Sequence, residues 1–462
     1  MLRRLSREQT IALAFVVART VWCAWRAATQ SLVHDEAQTF ITFLNGRWSD
    51  PYFQYSSNNH VLFSLLAKAS ITVFGVSEFA LRLPTVIAGF FLMWGAWRVW
   101  EQAPSRMARW VALTALGLNP PMLDFSVAAR GYGLSLAFLV WAVYAAMKSR
   151  PVFTGLLLGL AVSANFTTAL PAVGVMVAAA LLVEGSVGKR VRGLAAMAVS
   201  AAAVFALVCG GALRLLQRGE FYAGAPSFHD SLYNLIFASI HATPRLGLVD
   251  PWIAANVVLY AGLPAVGIFL GVRSWHAWRE GDRITSLAPL ALAMAMVLML
   301  AAHRFLGLLY PVDRTGLPWM LLFAVGWGFA VGTTSNTWLR GANVLAGCLL
   351  AAQFVTQCHG DYLTVWWYDR STKDVARRIE LETRGRPAGS VAISATWTHQ
   401  PVLEFYRVRD RVTEWKPVER FDTPPLTGYD YYVLNQPDTD SAAAHAKTVL
   451  FSDPFAGVML AR

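Results

Sequence analysis

Two neighbouring carboxylates follow the first apolar stretch of the chain, where Asp35 and Glu36 stand directly after His34. A carboxylate in this position could act as a general base and take a proton from an attacking hydroxyl group. Ordinary solvated loop acids or helix caps would also account for the pair. Arg82 stands where the chain becomes apolar again. Its guanidinium group could bind a phosphate through two hydrogen bonds or extend to a lipid headgroup.

Further polar positions could add contacts to an anionic ligand. His60 follows Asn59 in "NNHVLF", and both offer hydrogen-bond donors, although helix capping beside an interfacial imidazole explains them almost as well. Arg130 and Tyr132 stand in "DFSVAARGYG", and Arg314 stands in "VDRTGLP". We predict that His60 and Arg130 bind phosphate. The remaining three are additional candidate site residues.

The sequence does not support a bound metal or a nucleotide. His34 and His60 could join Asp35 and Glu36 around a divalent cation, but no pair has the spacing of a preformed site. The four cysteines also lack metal-ligand spacing. There is no glycine-rich loop of the kind that cradles the phosphates of soluble nucleotides. We therefore predict no cofactor, and we keep His34 as an additional candidate site residue.

The composition is typical of a membrane protein. Of the 462 residues, 56% are hydrophobic and only 15% are charged, whereas about a quarter of the residues in soluble domains are charged. The formal net charge of +11 would suggest nucleic acid as the partner of a soluble protein. Here the basic residues gather in short loops between apolar segments, as in proteins surrounded by membrane lipids. The sequence therefore predicts no nucleic-acid partner.

Apolar windows of roughly 17 to 25 residues predict about eleven membrane-spanning helices. These are residues 9–30, 77–98, 108–125, 132–147, 152–167, 169–184, 193–214, 251–272, 285–304, 315–333 and 341–358. Placing the N-terminus in the cytoplasm puts most basic residues in the inner loops, as the positive-inside rule requires. This orientation puts residues 31–76 and the C-terminal portion outside, and we predict a bacterial inner-membrane location.

Two stretches of the first outer loop are too short or too polar to cross a membrane. Residues 35–46 and 60–75 carry apolar side chains at helical spacing, which predicts amphipathic helices lying on the membrane surface. The sequence "DSLYNLIFASIH" in a later outer loop predicts another such helix. Polar groups between the first two spans would therefore stay at one membrane surface.

The composition changes beyond the last predicted span. A helix is predicted at 371–384, together with short β-rich runs that are separated by Pro and Gly. These runs are "SVAISA", "RVTEW", "YDYYVLN", "KTVLFS" and "GVMLA". We predict a membrane domain over residues 1–360 and a small extracytoplasmic α/β domain over residues 361–462, which is long enough to fold as one unit.

The first third of the chain resembles the GT-C superfamily of membrane glycosyltransferases, in particular bacterial members similar to protein O-mannosyltransferases and the aminoarabinose transferase. The shared features are the acidic pair after the first helix, two interfacial helices and "FGVSEFALRLPTVIAG" leading into the second span. "AARGYGLSLAFLVWAVYAA" and "VDRTGLPWMLLFAVGWGFA" resemble later family helices. One departure is Val61, which follows His60 where the family has proline.

This resemblance implies inverting transfer of a monosaccharide from a polyprenyl-phosphate donor to a lipid, glycan or protein acceptor on the outer face. It implies that Asp35 is the catalytic aspartate, that Glu36 is its acidic neighbour and that Arg82 binds phosphate or organises the site. Two alternatives stay open, a transporter or flippase of lipid-linked sugars and a non-catalytic envelope assembly protein. Transporters often contain internal repeats and interrupted helices, which we do not find in the sequence.

Overall fold

The computed structural model describes residues 5–54, 56–215, 224–242, 249–436, 438–440 and 447–462. This part of the chain is mostly helical and includes one five-stranded sheet. The α-helices are α1 (Arg7–Thr29), α2 (His34–Thr39), α3 (Asp50–Phe53), α4 (Val61–Phe74), α5 (Glu78–Trp100), α6 (Arg106–Leu118), α7 (Pro120–Asp124), α8 (Tyr132–Met147), α9 (Pro151–Ala164), α10 (Ala169–Leu181), α11 (Val187–Leu213), α12 (Phe228–Ile240), α13 (Pro251–Val257), α14 (Leu263–Arg279), α15 (Arg283–Leu306), α16 (Leu317–Thr333), α17 (Thr337–Gln357), α18 (Thr372–Thr383) and α19 (Gln400–Arg409). The strands are β1 (Ile393–Thr396), β2 (Glu419–Phe421), β3 (Tyr431–Asn435), β4 (Val449–Asp453) and β5 (Val458–Ala461).

The chain divides into two compact units. Unit 1 comprises Met1–Ala24, His60–Phe63 and Pro84–Cys358, and unit 2 comprises Trp25–Asn59, Ser64–Leu83 and His359–Arg462. Unit 1 thus contains most of the apolar helices. Unit 2 joins the C-terminal segment to most of the predicted first outer loop. The chain passes from one unit to the other within α1, α4 and α5.

The protein is an integral membrane protein whose apolar segments are helical, as predicted. Among the described residues, seven helices are long and apolar enough to cross a membrane, and they are Arg7–Thr29, Glu78–Trp100, Val187–Leu213, Pro251–Arg279, Arg283–Leu306, Asp313–Thr333 and Thr337–Gln357. Shorter apolar helices cover three more predicted spans, and Val61–Phe74 is the second predicted surface helix. The total of eleven crossings stays a prediction.

One predicted span, residues 108–125, is not a continuous helix. It divides into α6 and α7 at Asn119, whose side chain accepts a hydrogen bond from Met122 N at 3.2 Å. Proline has no N–H, so Pro120 and Pro121 cannot continue the hydrogen-bond ladder of α6. The mean hydropathy of a sequence window does not reveal such a break in a helix.

This break supplies partners for Arg19, which lies in α1 within unit 1. Because Pro121 has no N–H, the Gly117 carbonyl lacks its normal helical donor. Arg19 Nε donates to that carbonyl at 2.8 Å, and Arg19 Nη2 donates to Met122 O and Ser126 Oγ, both at 3.0 Å. A guanidinium group inside an apolar bundle is thus hydrogen-bonded to protein, as its high desolvation cost requires.

The sheet of unit 2 has the strand order β2-β1-β3-β5-β4. β1 is parallel to β2 and β3, whereas β5 is antiparallel to β3 and β4. Four of the five β-rich runs form strands, and α18 matches the helix predicted at 371–384. The prediction for "RVTEW" was wrong, because only Trp415 forms a bridge there, with Val391. The run begins at Arg411, which has a φ of 54°, and Pro417 follows it without a donor, so a longer ladder cannot form.

Ion pairs hold the first turn of α5 to the C-terminal helices within unit 2. Glu78 Oε1 accepts from Lys373 Nζ at 2.8 Å and from Arg409 Nη1 at 2.7 Å. Tyr406 Oη also donates to Glu78 Oε1, at 3.4 Å, and accepts from Leu32 N at 3.1 Å. These contacts explain why residues 64–83 belong to the same compact unit as the C-terminal segment.

Candidate functional site

The two neighbouring carboxylates have different surroundings. They lie in the first turn of α2, where Asp35 is partly exposed and Glu36 has no exposed surface. Successive residues of an α-helix point about 100° apart, so adjacent side chains cannot face the same way. α2 continues into a π-helical turn at Phe40–Leu44, and together they form the first predicted surface helix.

Glu36 is paired with Arg82 inside unit 2. Arg82 Nε donates to Glu36 Oε1 at 2.9 Å and Arg82 Nη2 donates to Glu36 Oε2 at 2.6 Å, with both side chains fully buried. Glu36 Oε2 also accepts from Val33 N at 3.1 Å, which satisfies the donor that precedes α2. We call Glu36 and Arg82 the arginine anchor.

The other donors of Arg82 are directed at the end of α1. Arg82 Nη1 donates to Ala27 O at 3.3 Å and to Gln30 O at 3.0 Å, and Nη2 donates to Ser31 O at 2.7 Å. A cation at these carbonyls is favoured because they are the negative end of the helix. All five N–H hydrogens of Arg82 are therefore donated within unit 2. Phosphate binding by Arg82 stays a prediction and would require these bonds to be exchanged.

The C-terminal segment caps the start of α2. His34 N donates to Asp369 Oδ2 at 2.7 Å, and His34 Nδ1 donates to Thr398 O at 3.0 Å, because a carbonyl can only accept. The His34 ring also makes an edge contact with Trp397 at 5.1 Å between centroids. Thus His34 positions the helix that carries Asp35. Asp369 was not predicted from the sequence, because it lies more than three hundred residues further along the chain.

Burial raises the pKa of Asp369, which has no exposed surface. Two residues oppose this effect. His399 Nδ1 lies 3.4 Å from Asp369 Oδ1, and His34 N donates to Asp369 Oδ2. Thr372 Oγ1 also donates to Asp369 Oδ1, at 3.3 Å. Protonation of Asp369 is therefore linked to the folding of the segment around α2.

Asn59 has a structural role in unit 2. Its Nδ2 donates to Pro51 O at 2.9 Å and to Gln54 O at 2.7 Å, and its Oδ1 accepts from Ser64 Oγ at 2.9 Å. These bonds fix the loop that precedes α4. A ligand contact by Asn59 stays a prediction, and its observed partners all belong to the protein.

Unit 1 contains the other predicted site residues. His60 is buried, with 8% of its surface exposed, and its ring lies 5.1 Å from that of Tyr132 between centroids. Its imidazole is hydrogen-bonded to the backbone of Ala164. Burial lowers the pKa of His60 well below its usual value, and the positive charges of Arg130 and Arg314 lower it further. We call His60, Arg130, Tyr132 and Arg314 the histidine cluster.

The histidine cluster joins three separate turns of the chain, and His60 also contacts a fourth turn at Ala164. His60 precedes α4, Arg130 and Tyr132 lie at the start of α8, and Arg314 precedes α16. Ala164, at the end of α9, provides the fourth turn. The predicted topology puts all four turns on one side of the membrane, and their meeting within unit 1 is consistent with that prediction.

Gly131 allows these turns to approach closely. A Cβ atom at this position would lie 1.8 Å from Ala164 O and 2.8 Å from His60 Cβ, and both distances are too short for real contacts. The backbone of Gly131 has a φ of −68°, which any residue can adopt. Glycine is therefore needed here for space, and not for backbone conformation.

A polar residue next to Ala164, the backbone partner of His60, was not predicted from the sequence. Asn165 follows α9 and is buried, with 3% of its surface exposed. Its Oδ1 accepts from Thr167 N and from Thr167 Oγ1, both at 3.0 Å. The backbone donor fixes the orientation of the amide, so Nδ2 faces away from this cap. The signal in the sequence was a polar residue between two apolar runs in "SANFTT".

Within the described ranges, no group of three or more His, Cys, Asp or Glu side chains is arranged to hold a metal ion. Unit 2 brings together His34, Glu36 and Arg82, with Asp35 on the partly exposed side of the same helix. In unit 1 the rings of His60 and Tyr132 are in contact, and Arg130 and Arg314 are close enough for their charges to lower the pKa of His60.

The whole chain is similar in structure to solved membrane glycosyltransferases. The structure of ArnT from Cupriavidus metallidurans bound to undecaprenyl phosphate matches with a TM-score of 0.54 and 14% sequence identity, over 98% of each chain. Its apo state matches with a TM-score of 0.53 and 15% identity, over 99% of this chain and 98% of ArnT. The chain has the GT-C fold. The arabinofuranosyltransferase AftD from Mycobacteria has a TM-score of 0.49 at 13% identity, over 99% of this chain and 40% of AftD.

No protein-family model and no curated protein sequence matches this chain. The GT-C fold confirms the resemblance noted from the first third of the sequence and extends it to the C-terminal sheet, since the alignment with ArnT covers nearly the whole chain. A fold can carry different chemistries, so the function has to be argued from the side chains.

Proposed function

We propose that the protein is a glycosyltransferase that moves a monosaccharide from a polyprenyl-phosphate carrier to an acceptor hydroxyl group, with inversion at the anomeric carbon. The GT-C fold supports this proposal, and so does the undecaprenyl phosphate bound to ArnT, which has the same fold. The predicted topology puts the reaction on the outer face of a bacterial inner membrane. The acceptor is a lipid, a glycan or a protein.

The observation that carries the proposal is the difference between Asp35 and Glu36. Glu36 is fully buried and paired, so it cannot exchange protons readily with a substrate. Asp35 stays partly exposed on a helix that is fixed from several sides. A carboxylate held in this way suits a general base, whose position has to be defined before the reaction begins.

In the proposed reaction, Asp35 takes the proton of the acceptor hydroxyl as its oxygen attacks the anomeric carbon. The bond between that carbon and the phosphate oxygen breaks, and its electron pair leaves with the carrier phosphate. Positive charge and hydrogen-bond donors at the carrier phosphate stabilise such a leaving group. Attack opposite to the phosphate inverts the configuration.

We assign Glu36 and Arg82 a positioning role in this reaction. Their ion pair and the carbonyl contacts of Arg82 connect the end of α1 to the start of α2, where Asp35 lies. The sequence-based roles, catalysis for Glu36 and phosphate binding for Arg82, would need side chains that are free to meet a substrate. The observed bonds favour the positioning role.

Asp35→Asn tests the proposal in reconstituted vesicles. The substrates are undecaprenyl phosphates carrying labelled pentoses or hexoses, with envelope lipids as acceptors. We expect transfer of label and release of undecaprenyl phosphate to fall by at least about a hundredfold, because a general base typically contributes that much. Binding of undecaprenyl phosphate should not change.

Asp374→Asn is the matched control, because Asp374 is an exposed acid in the first turn of α18 in the same unit. It should transfer sugar at the wild-type rate. Unchanged transfer by Asp35→Asn would refute the assignment of the base. Movement of label across the membrane with the sugar-phosphate bond intact, in both variants and wild type, would instead identify a flippase.

A further inference from the structure

A polar cavity of unit 1 lies between the start of α1, the end of α5 and the start of α6, and its volume is about 260 Å³. We call it the N-terminal cavity. Its lining includes Glu8, Gln9, Trp97, Glu101, Gln102 and Arg109. A water molecule occupies about 30 Å³ in the liquid, so the cavity has room for a group much larger than one water.

The N-terminal cavity lies at a membrane surface. α1 and α5 are both long and apolar enough to cross a membrane. Glu8 and Gln9 belong to the first turn of α1, and Trp97 belongs to the last turn of α5. Residues at the ends of such helices lie at the depth of the lipid headgroups, because the apolar part of the helix spans the hydrocarbon core. The predicted topology makes this the cytoplasmic surface, whereas it puts Asp35 on the outer side.

Two buried N–H groups of residues that line the N-terminal cavity have no hydrogen-bond partner in the described part of the chain. They are Trp97 Nε1 and Arg109 Nε, and only 1% of the surface of Trp97 is exposed. Arg109 uses its other donors, since Nη2 donates to both oxygens of Glu8 and Nη1 donates to Ala103 O at 2.9 Å. Buried polar groups are nearly always bonded to protein, water or ligand. Both groups can only donate, so a ligand that meets them must accept hydrogen bonds.

The charge around the N-terminal cavity favours an anion, although two carboxylates line it. Glu8 pairs with Arg109 Nη2 at 2.8 Å and lies 3.7 Å from Arg106 Nε. Glu101 pairs with Arg98 Nε at 2.5 Å. Three guanidinium groups therefore face two carboxylates, which leaves one positive charge unbalanced in this network. A bound cation would add to the excess charge, whereas an anion with one negative charge would neutralise it.

We propose that the N-terminal cavity binds the phosphate group of an anionic membrane lipid. A phosphodiester has two charged oxygens that accept hydrogen bonds and one negative charge, which match the two N–H groups and the unbalanced positive charge. Lipid phosphates lie at the depth of this cavity, and basic pockets between spanning helices are a known kind of headgroup site. The cavity is independent of the proposed reaction, because it shares no residue with the arginine anchor or the histidine cluster.

Trp97→Phe tests the indole donor, because phenylalanine keeps an aromatic ring beside Trp110 but has no N–H. The full-length protein in a neutral detergent is titrated calorimetrically with short-chain phosphatidylglycerol. We expect the Kd to rise about tenfold, as for loss of one hydrogen bond to a charged group. The substitution leaves the net charge unchanged, so unspecific attraction of the lipid to basic residues stays the same.

Trp100→Phe is the matched control. Trp100 is fully buried in the same helix, but its Nε1 donates to Val325 O at 3.2 Å and is therefore already bonded to protein. Its Kd should equal that of the wild type, and thermal unfolding shows whether both variants are folded. Wild-type affinity in Trp97→Phe would overturn the proposal and leave the proposed transfer reaction in place.

Gln102→Glu tests the charge of the N-terminal cavity with little change in side-chain size. It adds a carboxylate to the lining and cancels the unbalanced positive charge, so the Kd for phosphatidylglycerol should rise by at least about tenfold. Gln54→Glu makes the same change in net charge at an exposed residue of unit 2, and it should bind as the wild type does. Equal Kd values in these two variants would contradict an anion site in the cavity.

Inorganic phosphate distinguishes a lipid headgroup from free phosphate. We expect an excess of inorganic phosphate to leave the Kd for phosphatidylglycerol unchanged in the wild type, because the acyl chains also contribute to binding of the lipid. If inorganic phosphate instead bound to the wild type and displaced the lipid, and Trp97→Phe abolished this binding, free phosphate would be the ligand. The membrane lipid would then be wrong as the source of the phosphate group.

Discussion

The arginine anchor of unit 2 and the histidine cluster of unit 1 use similar side chains, but they differ in how fully their polar atoms are bonded. Arg82 donates all five of its N–H hydrogens, and both oxygens of Glu36 accept. By contrast, two buried atoms of unit 1, His60 Nε2 and Asn165 Nδ2, have no partner among the described residues. A fully bonded pair has nothing to offer a ligand, whereas a buried atom without a partner gains most when a ligand binds.

This difference assigns separate tasks to residues that look equivalent in the sequence. Arginines 82 and 130 both follow a predicted turn, and both were predicted to bind phosphate. The observed bonds make Arg82 part of the scaffold around α2. Arg130 lies beside His60, where its charge lowers the pKa of the imidazole. The distinction depends on which partners are near, and not on residue type.

Arg82→Met should produce the largest loss of stability. It leaves the fully buried carboxylate of Glu36 without its counter-charge and removes the donors to the end of α1. Breaking a buried ion pair in this way typically lowers the free energy of unfolding by about 3–5 kcal/mol. Denaturant unfolding in detergent micelles measures the effect.

The matched control is Arg378→Gln, because Arg378 pairs with Glu382 at 2.9 Å in the same unit but is 53% exposed. An exposed pair contributes at most about 1 kcal/mol. Adding Glu36→Gln to Arg82→Met should restore part of the lost stability, since no unpaired charge then remains. Wild-type stability together with weak binding of undecaprenyl phosphate in Arg82→Met would return Arg82 to the role of phosphate ligand.

Much of the fold could be predicted because apolar spans and polar loops differ strongly in composition. The break at Asn119 was missed, although Pro120 and Pro121 are visible in the sequence, because an apolar window averages over them. α19 was missed because no periodic apolar pattern extends through "QPVLEFYRVR" far enough to indicate a helix. A proline pair or a ten-residue helix changes the pattern of only a few positions, so the composition of the neighbouring residues hides it.

The site could be predicted only in part. The sequence places Asp35 and Glu36 at the end of the first span, but the inward-facing acid is defined by where Arg82 lies in the folded chain. Asp369 caps α2 from a distant segment, and no local pattern links it to His34. Asn165 is one polar residue in an apolar region, and its burial is evident only from the folded chain.

Gly131→Ala should disturb the histidine cluster directly. The added Cβ would meet Ala164 O and His60 Cβ, so these groups must move apart. Overpacking of this kind typically costs about 1–3 kcal/mol in stability. Because His60 and Ala164 are displaced, affinity for undecaprenyl phosphate should fall as well. Calorimetric titration and thermal unfolding on the same sample measure both effects.

Gly341→Ala provides the comparison, since a Cβ at this position in α17 meets nothing within 4 Å. Alanine is the better helix former by about 1 kcal/mol, so this variant should be slightly more stable and bind normally. If Gly131→Ala bound undecaprenyl phosphate as the wild type does, the spacing between His60 and Ala164 would not matter for the ligand. The proposed difference between the two regions would then be wrong for the histidine cluster, because its geometry would not affect ligand binding.

Asp369→Asn should have the smallest effect, and it should depend on pH. Burial raises the pKa of Asp369 above its value in the unfolded chain, so between these two values the folded protein holds a proton that the unfolded chain has lost. Stability contributed by this group is therefore present at low pH and decreases as pH rises through the folded pKa. Asparagine can still accept from His34 N but does not titrate.

The measurement is the difference in thermal midpoint between Asp369→Asn and wild type, from about pH 4 to pH 7, because other carboxylates cancel in that difference. The variant should gain relative to wild type as pH rises, by less than the loss expected for Arg82→Met. A difference that is constant with pH would show that Asp369 keeps its unfolded-state pKa. The charge of Asp369 would then be stabilised as well as that of Glu36. The fully bonded part of unit 2 would include the C-terminal segment in addition to the arginine anchor.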